Sequence, residues 1–117
     1  MLHISYSMIE NFVKNLQVKR YNIRIQRNSN YWVIKVNEHD ICRFYGTKNK
    51  LSGIAFKKEY CSKEEWSHFI NHKDDSVDTG NKALMGYKLH YNKHDFNYYM
   101  NWITDHIMIA CLLNKWK

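Results

Sequence analysis

One pair of histidines has the spacing of a metal site. His68 and His72 are four residues apart, which would bring both imidazoles to one side of a helix. Cys61, Asp74 and Asp75 are nearby in the sequence, and a thiolate or carboxylate could complete a zinc site. The chain has no Cys-x-x-Cys, His-Glu-x-x-His or EF-hand pattern, so we predict no metal and no cofactor.

A second cluster could support acid–base chemistry. His90, Lys93 and His94 offer a base and a cation, the groups that a metal-independent ribonuclease needs. They stand directly before Asp95, so a solvated loop before a helix is the favoured interpretation. The sequence has no glycine-rich phosphate loop and no Gly-x-Ser-x-Gly elbow, and we therefore assign no catalytic residue and expect a non-enzyme.

Alternation along the strands predicts a basic face that also bears tyrosines. This face would consist of Arg24, Tyr31, Lys35, Arg43, Tyr45 and Lys57. Positive charge suits a phosphate backbone and rings suit stacked bases, so the set favours nucleic acid, a nucleotide or another anionic partner. The alternative is an ordinary solvated face, and a one-residue slip in register would exchange the two faces of the sheet.

The last helix is apolar over more than half of its circumference. A normal core stripe accounts for part of it; a second, adjoining face would contain Tyr98, Trp102, Ile109, Leu113 and Trp116. A surface helix has a narrower apolar stripe than this. Two interpretations stay open: the helix is buried centrally, or the second face is a protein interface, including that of a homodimer.

Charge is unevenly distributed along the chain, which has a net charge of +7. The stretch 11–58 has eleven basic and two acidic residues, whereas 59–78 has two basic and six acidic. The basic part predicts an acidic protein surface or a nucleic acid as the partner. Asn, Lys, Ile and Tyr, all read from AT-rich codons, make up 47 of 117 residues, which suggests a phage or another mobile element.

The elements form a pattern of the α+β class. Ser7 and Glu10 predict a capping box that begins the first helix. Alternation predicts four strands within 20–60. A helix over 62–71, a long loop over 72–81, a fifth strand over 83–91 and a final helix from Asp95 to about Asn114 follow. The order α-β-β-β-β-α-β-α predicts one domain over 1–117, with a mainly antiparallel four- to five-stranded sheet packed on helices in two layers.

No signal peptide is visible at the N-terminus, and the longest apolar run, Ile107 to Leu113, is too short to span a membrane. Three scattered cysteines favour a reducing compartment, and we expect a cytoplasmic protein. The first hypothesis for its function is a small non-enzymatic binding or inhibitor protein, of the immunity or anti-defence type. The second is a nucleic-acid- or nucleotide-binding protein that uses the same basic face, and the third is the ribonuclease.

Overall fold

The computed structural model describes residues 3–16, 21–61, 63–64, 67, 76–77, 79–91 and 93–114. Within these residues, the helices and strands with described bounds are two helices and six strands. They are α1 (Tyr6–Asn15), β1 (Ile23–Arg27), β2 (Trp32–Val36), β3 (His39–Gly46), β4 (Leu51–Lys57), β5 (Ser76–Val77), β6 (Leu84–Lys88) and α2 (Phe96–Asn114), with a 3-10 turn at Lys58–Tyr60 after β4. The helix predicted over 62–71 lies largely outside the described residues; of that segment, Lys63, Glu64 and Ser67 are helical.

The strands form one antiparallel sheet in the order β1-β2-β3-β4-β6-β5. Both helices pack on the same side of it. In α1, the Tyr6 ring lies 5.6 Å from that of Trp32 in β2, and in α2 the Trp102 ring lies 5.2 Å from that of Tyr87 in β6. The predicted α+β class is confirmed. The two-residue β5, which lies within the predicted long loop, was not expected.

The core lies between the sheet and the helices, and the strand register builds it. Paired residues in neighbouring antiparallel strands point to the same side of a sheet. Two rows of partners cross the sheet on the helix side: Ile25, Ile34, Cys42, Phe56 and Met85, then Arg27, Trp32, Phe44, Ile54 and Tyr87. Of these, Ile34, Ile54, Phe56 and Tyr87 have no exposed surface. Alternation in the sequence predicted this assignment of strand faces.

A β-bulge in β3 breaks the alternation once. The register shifts between Ile34 and Lys35, so that Ile34 pairs with Cys42 but Lys35 pairs with Asp40. The extra residue is Ile41, and Ile41 and Cys42 are both buried in the core although they are consecutive. A bulge opposes two residues to one on the partner strand. Here it gives the core one more apolar side chain and places Asp40 beside Lys35.

The first helix begins earlier than predicted, and the Ser7–Glu10 capping box is wrong. Ser5 is the N-cap, and its hydroxyl accepts a hydrogen bond from the Met8 N–H at 3.4 Å. The reason lies outside the helix: the Tyr6 N–H donates to the carbonyl of Lys48 in the β3–β4 turn at 2.9 Å. This bond fixes the chain at Tyr6, while the Glu10 carboxylate accepts from the Tyr6 hydroxyl.

Strand ends also differ from expectation. The fourth strand ends at Lys57 and gives way to the 3-10 turn, where a strand to Tyr60 was predicted, and β6 is shorter than the predicted 83–91. The start of α2 is as predicted, since the Asp95 carboxylate accepts from the Tyr98 N–H at 2.9 Å. Among the described residues, no helix has both the length and the hydropathy to cross a membrane.

We expect Ile107→Ala to lower the free energy of unfolding by about 2–5 kcal/mol, because Ile107 is fully buried in α2 and its truncation leaves a cavity. The matched control is Leu112→Ala on the same helix, where the side chain is 72% exposed; it should change stability by less than about 0.5 kcal/mol. Denaturant unfolding of both variants gives the comparison. Equal losses would contradict the placement of α2 against the sheet.

Candidate binding surface on the sheet

The structure brings all six predicted basic and aromatic residues to the side of the sheet opposite the helices, here called the outer face. Pairing joins Arg24 to Lys35, Arg43 to Ala55 and Tyr45 to Gly53, and the strand alternation adds Tyr31 and Lys57. Lys88, which sequence reasoning did not include, pairs with Gly53 and is exposed on the same face.

Two of the predicted cations are already neutralised. Arg24 donates to both carboxylate oxygens of Glu38, through Nε at 3.0 Å and Nη2 at 2.5 Å. The Lys35 ammonium lies 3.4 Å from Asp40 Oδ1, an ion pair that the β3 bulge makes possible. Glu38 and Asp40, the two acidic residues of the stretch 11–58, therefore neutralise part of its positive charge on the outer face. The net charge of the stretch does not show which cations are paired.

Glu38 reaches Arg24 from a constrained turn. Asn37 and Glu38 have φ values of 48° and 70°, as a two-residue hairpin loop between β2 and β3 requires. Asn37 secures the turn, since its side-chain oxygen accepts from the Asn22 N–H at 2.8 Å. The hydrogen bond from Arg24 holds the pKa of the Glu38 carboxyl below its ordinary value.

The centre of the outer face is an arginine stacked on a tyrosine. The Arg43 guanidinium lies 4.1 Å from the centre of the Tyr31 ring, and the Tyr45 ring lies 6.1 Å from that of Tyr31. Among the described residues, no carboxylate pairs with Arg43. The Tyr31 hydroxyl accepts from Asn28 at 3.0 Å, so the ring on which the guanidinium rests is itself fixed.

Much of this face is closed to solvent. Val33 and Ala55 lie on it and have no exposed surface. The Tyr45 ring lies against Gly53, with Cδ2 3.7 Å from the position that a Cβ would take there. The Arg43 Nε and the Tyr45 hydroxyl are buried and make no hydrogen bond within the described structure. The cations of this face that form no ion pair among the described residues are half-buried Arg43, half-buried Lys57 and exposed Lys88.

The second apolar face of α2 divides between core and surface. Tyr98 and Trp102 are half-buried in an aromatic cluster, with ring centres 4.8 Å apart, and Ile109 packs against the core. Leu113 is 64% exposed, and Trp116 lies outside the described residues. Ile103 and Ile107, on the core side of α2, are fully buried, as both interpretations of this helix expect, so central burial and an interface both stay predictions.

The histidine cluster forms a turn that leads into α2. The N–H groups of Lys93 and His94 donate to the carbonyl of His90 at 3.1 and 3.0 Å. The His94 ring stacks on the ring of Tyr98, with centres 3.8 Å apart and planes 10° apart. These contacts position the turn against α2. Of the candidate metal ligands considered in the sequence, His68, His72, Asp74 and Asp75 lie outside the described residues, and the described part of the chain contains no cluster of three metal-ligating side chains.

The cysteines are placed for packing. Burial raises the pKa of the Cys42 thiol far above its usual range, and burial also raises the pKa of the Cys111 thiol. Both are buried in the core, where a free cysteine packs as a small apolar residue. Cys61 Sγ lies 3.6 Å from Nε2 of His106, a fully buried histidine of α2 whose ring centre is 4.1 Å from that of Phe56. Sequence reasoning did not anticipate this polar contact between distant elements.

We expect the Glu38 carboxyl to titrate below its ordinary pKa of 4.5 and to return toward that value in Arg24→Gln. Because the folded-state pKa is depressed, the stabilisation from the pair is present above the unfolded-state pKa and is lost as pH falls through the folded-state value. Side-chain carboxyl NMR against pH measures both variants, with Lys14→Gln on α1 as the charge-matched control. An unchanged pKa in Arg24→Gln would contradict the pairing.

We expect Trp102→Ala to cost roughly 3–5 kcal/mol of unfolding free energy, because its ring contacts Phe56 and Tyr87 as well as its helix neighbours. Leu113→Ala, on the exposed end of the same face, should be nearly neutral for stability. Denaturation and sedimentation on the same samples separate packing from self-association. Loss of association in Trp102→Ala with full stability would instead identify an interface.

Comparison with protein-family models, curated proteins and solved structures finds no match to this chain. Function is therefore inferred from the charge and geometry of the surfaces described above.

Proposed function

We propose that this chain is a small non-enzymatic binding protein of the inhibitor or immunity type. Its outer face binds an acidic surface of a partner protein. The observation that carries the proposal is the Arg43 guanidinium, held at 4.1 Å over Tyr31 without a carboxylate partner in the described structure. Lys57 and Lys88 lie on the same face, and within the described ranges neither forms an ion pair.

Preorganisation supports this use of Arg43. A free arginine side chain loses rotamer freedom when it binds, whereas a guanidinium already stacked on a ring loses less. Asn28 holds Tyr31, and Gln26 donates to Asn28 at 2.9 Å. Gln26 in β1 thus holds Asn28, Asn28 holds Tyr31, and the Tyr31 ring supports the Arg43 guanidinium that binds the partner. Arginine and tyrosine are also the residue types enriched among the strongest contributors to protein interfaces.

The occupied rings favour a protein over a nucleic acid on this face. Bases bind by stacking on exposed aromatic faces, but the guanidinium covers one face of Tyr31 and the Tyr45 ring lies against Gly53. Nucleic acid on the same face is therefore the second candidate. For the ribonuclease, the stacking of His94 on Tyr98 supports a structural role for the cluster instead.

The test is capture of partners from extracts of the source cells, before and after nuclease treatment. Arg43→Gln with Lys57→Gln is compared with Lys14→Gln and Lys82→Gln, which remove two exposed charges elsewhere. A protein captured by the wild type and the control should bind the outer-face variant about 5- to 30-fold more weakly, as expected for two interfacial charges of about 0.5–1 kcal/mol each. Affinity should also fall with added salt.

Two results would overturn the proposal. Equal capture by both double variants removes the outer face from the function. Loss of the captured partner after nuclease treatment assigns the face to nucleic acid. Thermal melts of both variants establish that the comparison is between folded proteins.

A further inference from the structure

A second surface, on the helix side at one end of the sheet, combines cations with aromatic rings around a cleft. Its volume is about 490 Å³, and it is lined by Tyr6, Arg27, Trp32, Gly46, Thr47 and Lys48. That volume lies within the range of small-molecule binding sites. The outer face contributes none of these residues, and none of them was a candidate site residue in the sequence.

Each cation of the cleft lies over a ring. The Arg27 guanidinium is 4.1 Å from the centre of the Trp32 ring, and the Lys48 ammonium is 6.0 Å from that of Tyr6. Both basic residues are exposed. Within the described ranges no carboxylate forms an ion pair with either; the nearby Glu10 accepts from the Tyr6 hydroxyl and lies 3.9 Å from Lys14. The cleft therefore presents two uncompensated positive charges beside two rings.

The frame of the cleft is fixed by backbone contacts. The Tyr6 N–H donates to the Lys48 carbonyl at 2.9 Å, and Thr47 and Lys50 exchange backbone hydrogen bonds at 3.1 and 3.2 Å. Gly46 has a φ of +119°, and a Cβ there would meet the Ser52 nitrogen at 2.6 Å. A rim held in this way needs little rearrangement to receive a ligand.

We propose that this cleft binds a nucleoside phosphate, with the base against the half-exposed Tyr6 ring and the phosphate between Arg27 and Lys48. Trp32 is only 7% exposed, so it serves as the platform for Arg27, while Tyr6 is half-exposed at the rim of the cleft with the flexible Lys48 side chain beside it. Guanidinium and ammonium groups are the usual phosphate partners, and aromatic rings stack on any base. The same chemistry is presented by a free mononucleotide and by the 5′-phosphorylated end of a single strand.

Calorimetric titration with adenosine 5′-monophosphate, inorganic phosphate, adenosine and a 5′-phosphorylated ten-residue oligothymidylate tests the proposal. The monophosphate should bind more tightly than phosphate or adenosine alone. Arg27→Gln with Lys48→Gln should weaken it at least about tenfold, since both lost contacts involve charged groups. Tighter binding of the oligonucleotide with a steep salt dependence identifies a strand end as the source, and equal or weaker binding identifies a free nucleotide.

Matched variants separate stacking from fold. Tyr6→Phe keeps the ring and should bind like the wild type, whereas Tyr6→Leu should bind more weakly; melts of both check folding. Failure of the monophosphate and the oligonucleotide to bind at millimolar concentration, or equal binding to wild type and the Arg27/Lys48 variant, overturns the proposal. Arg43→Gln with Lys57→Gln should leave nucleotide binding unchanged, so this result and that of the partner capture are independent.

Discussion

The pairing register of the meander β1 to β4 is the constraint on which the other features depend. Because side chains alternate along a strand, the pairing of Ile34 with Cys42 and of Cys42 with Phe56 places one whole set of residues under the helices. The same pairing sends Arg24, Lys35 and Arg43 to the outer face. A slip of one residue would place these charged side chains under the helices. The free-energy cost of removing them from water disfavours that register.

Register also explains why two different surfaces meet at one end of the sheet. Tyr31 and Trp32 are consecutive, so their rings point to opposite sides, and each ring supports an arginine, Arg43 on the outer face and Arg27 on the helix side. The turn that follows β3 closes the cleft from the helix side. The consecutive rings of Tyr31 and Trp32 thus hold one guanidinium on each side of the sheet, and positive charge is presented on two separate surfaces.

Local sequence patterns were sufficient to predict the first four strands, their faces and the start of the last helix. Alternation located β1 to β4 and assigned their faces, and Asp95 marked the start of α2. It did not predict features set by contacts between distant residues. Ser5 is the N-cap in place of the predicted Ser7, because the Lys48 carbonyl accepts a hydrogen bond from the Tyr6 N–H and fixes the chain there. The bulge at Ile41 and the neutralisation of Arg24 by Glu38 arise from pairing and turn geometry that no local pattern records.

The two edge strands of the sheet, β5 and β1, differ in length and charge. At one edge β5 is described over only two residues, and at the other edge β1 bears exposed Arg27, which forms no ion pair among the described residues, within a chain of net charge +7. A short terminal strand offers little template for pairing, and like charges repel a second copy that approaches edge to edge. Both edges thus have features that disfavour the addition of a strand from a second copy.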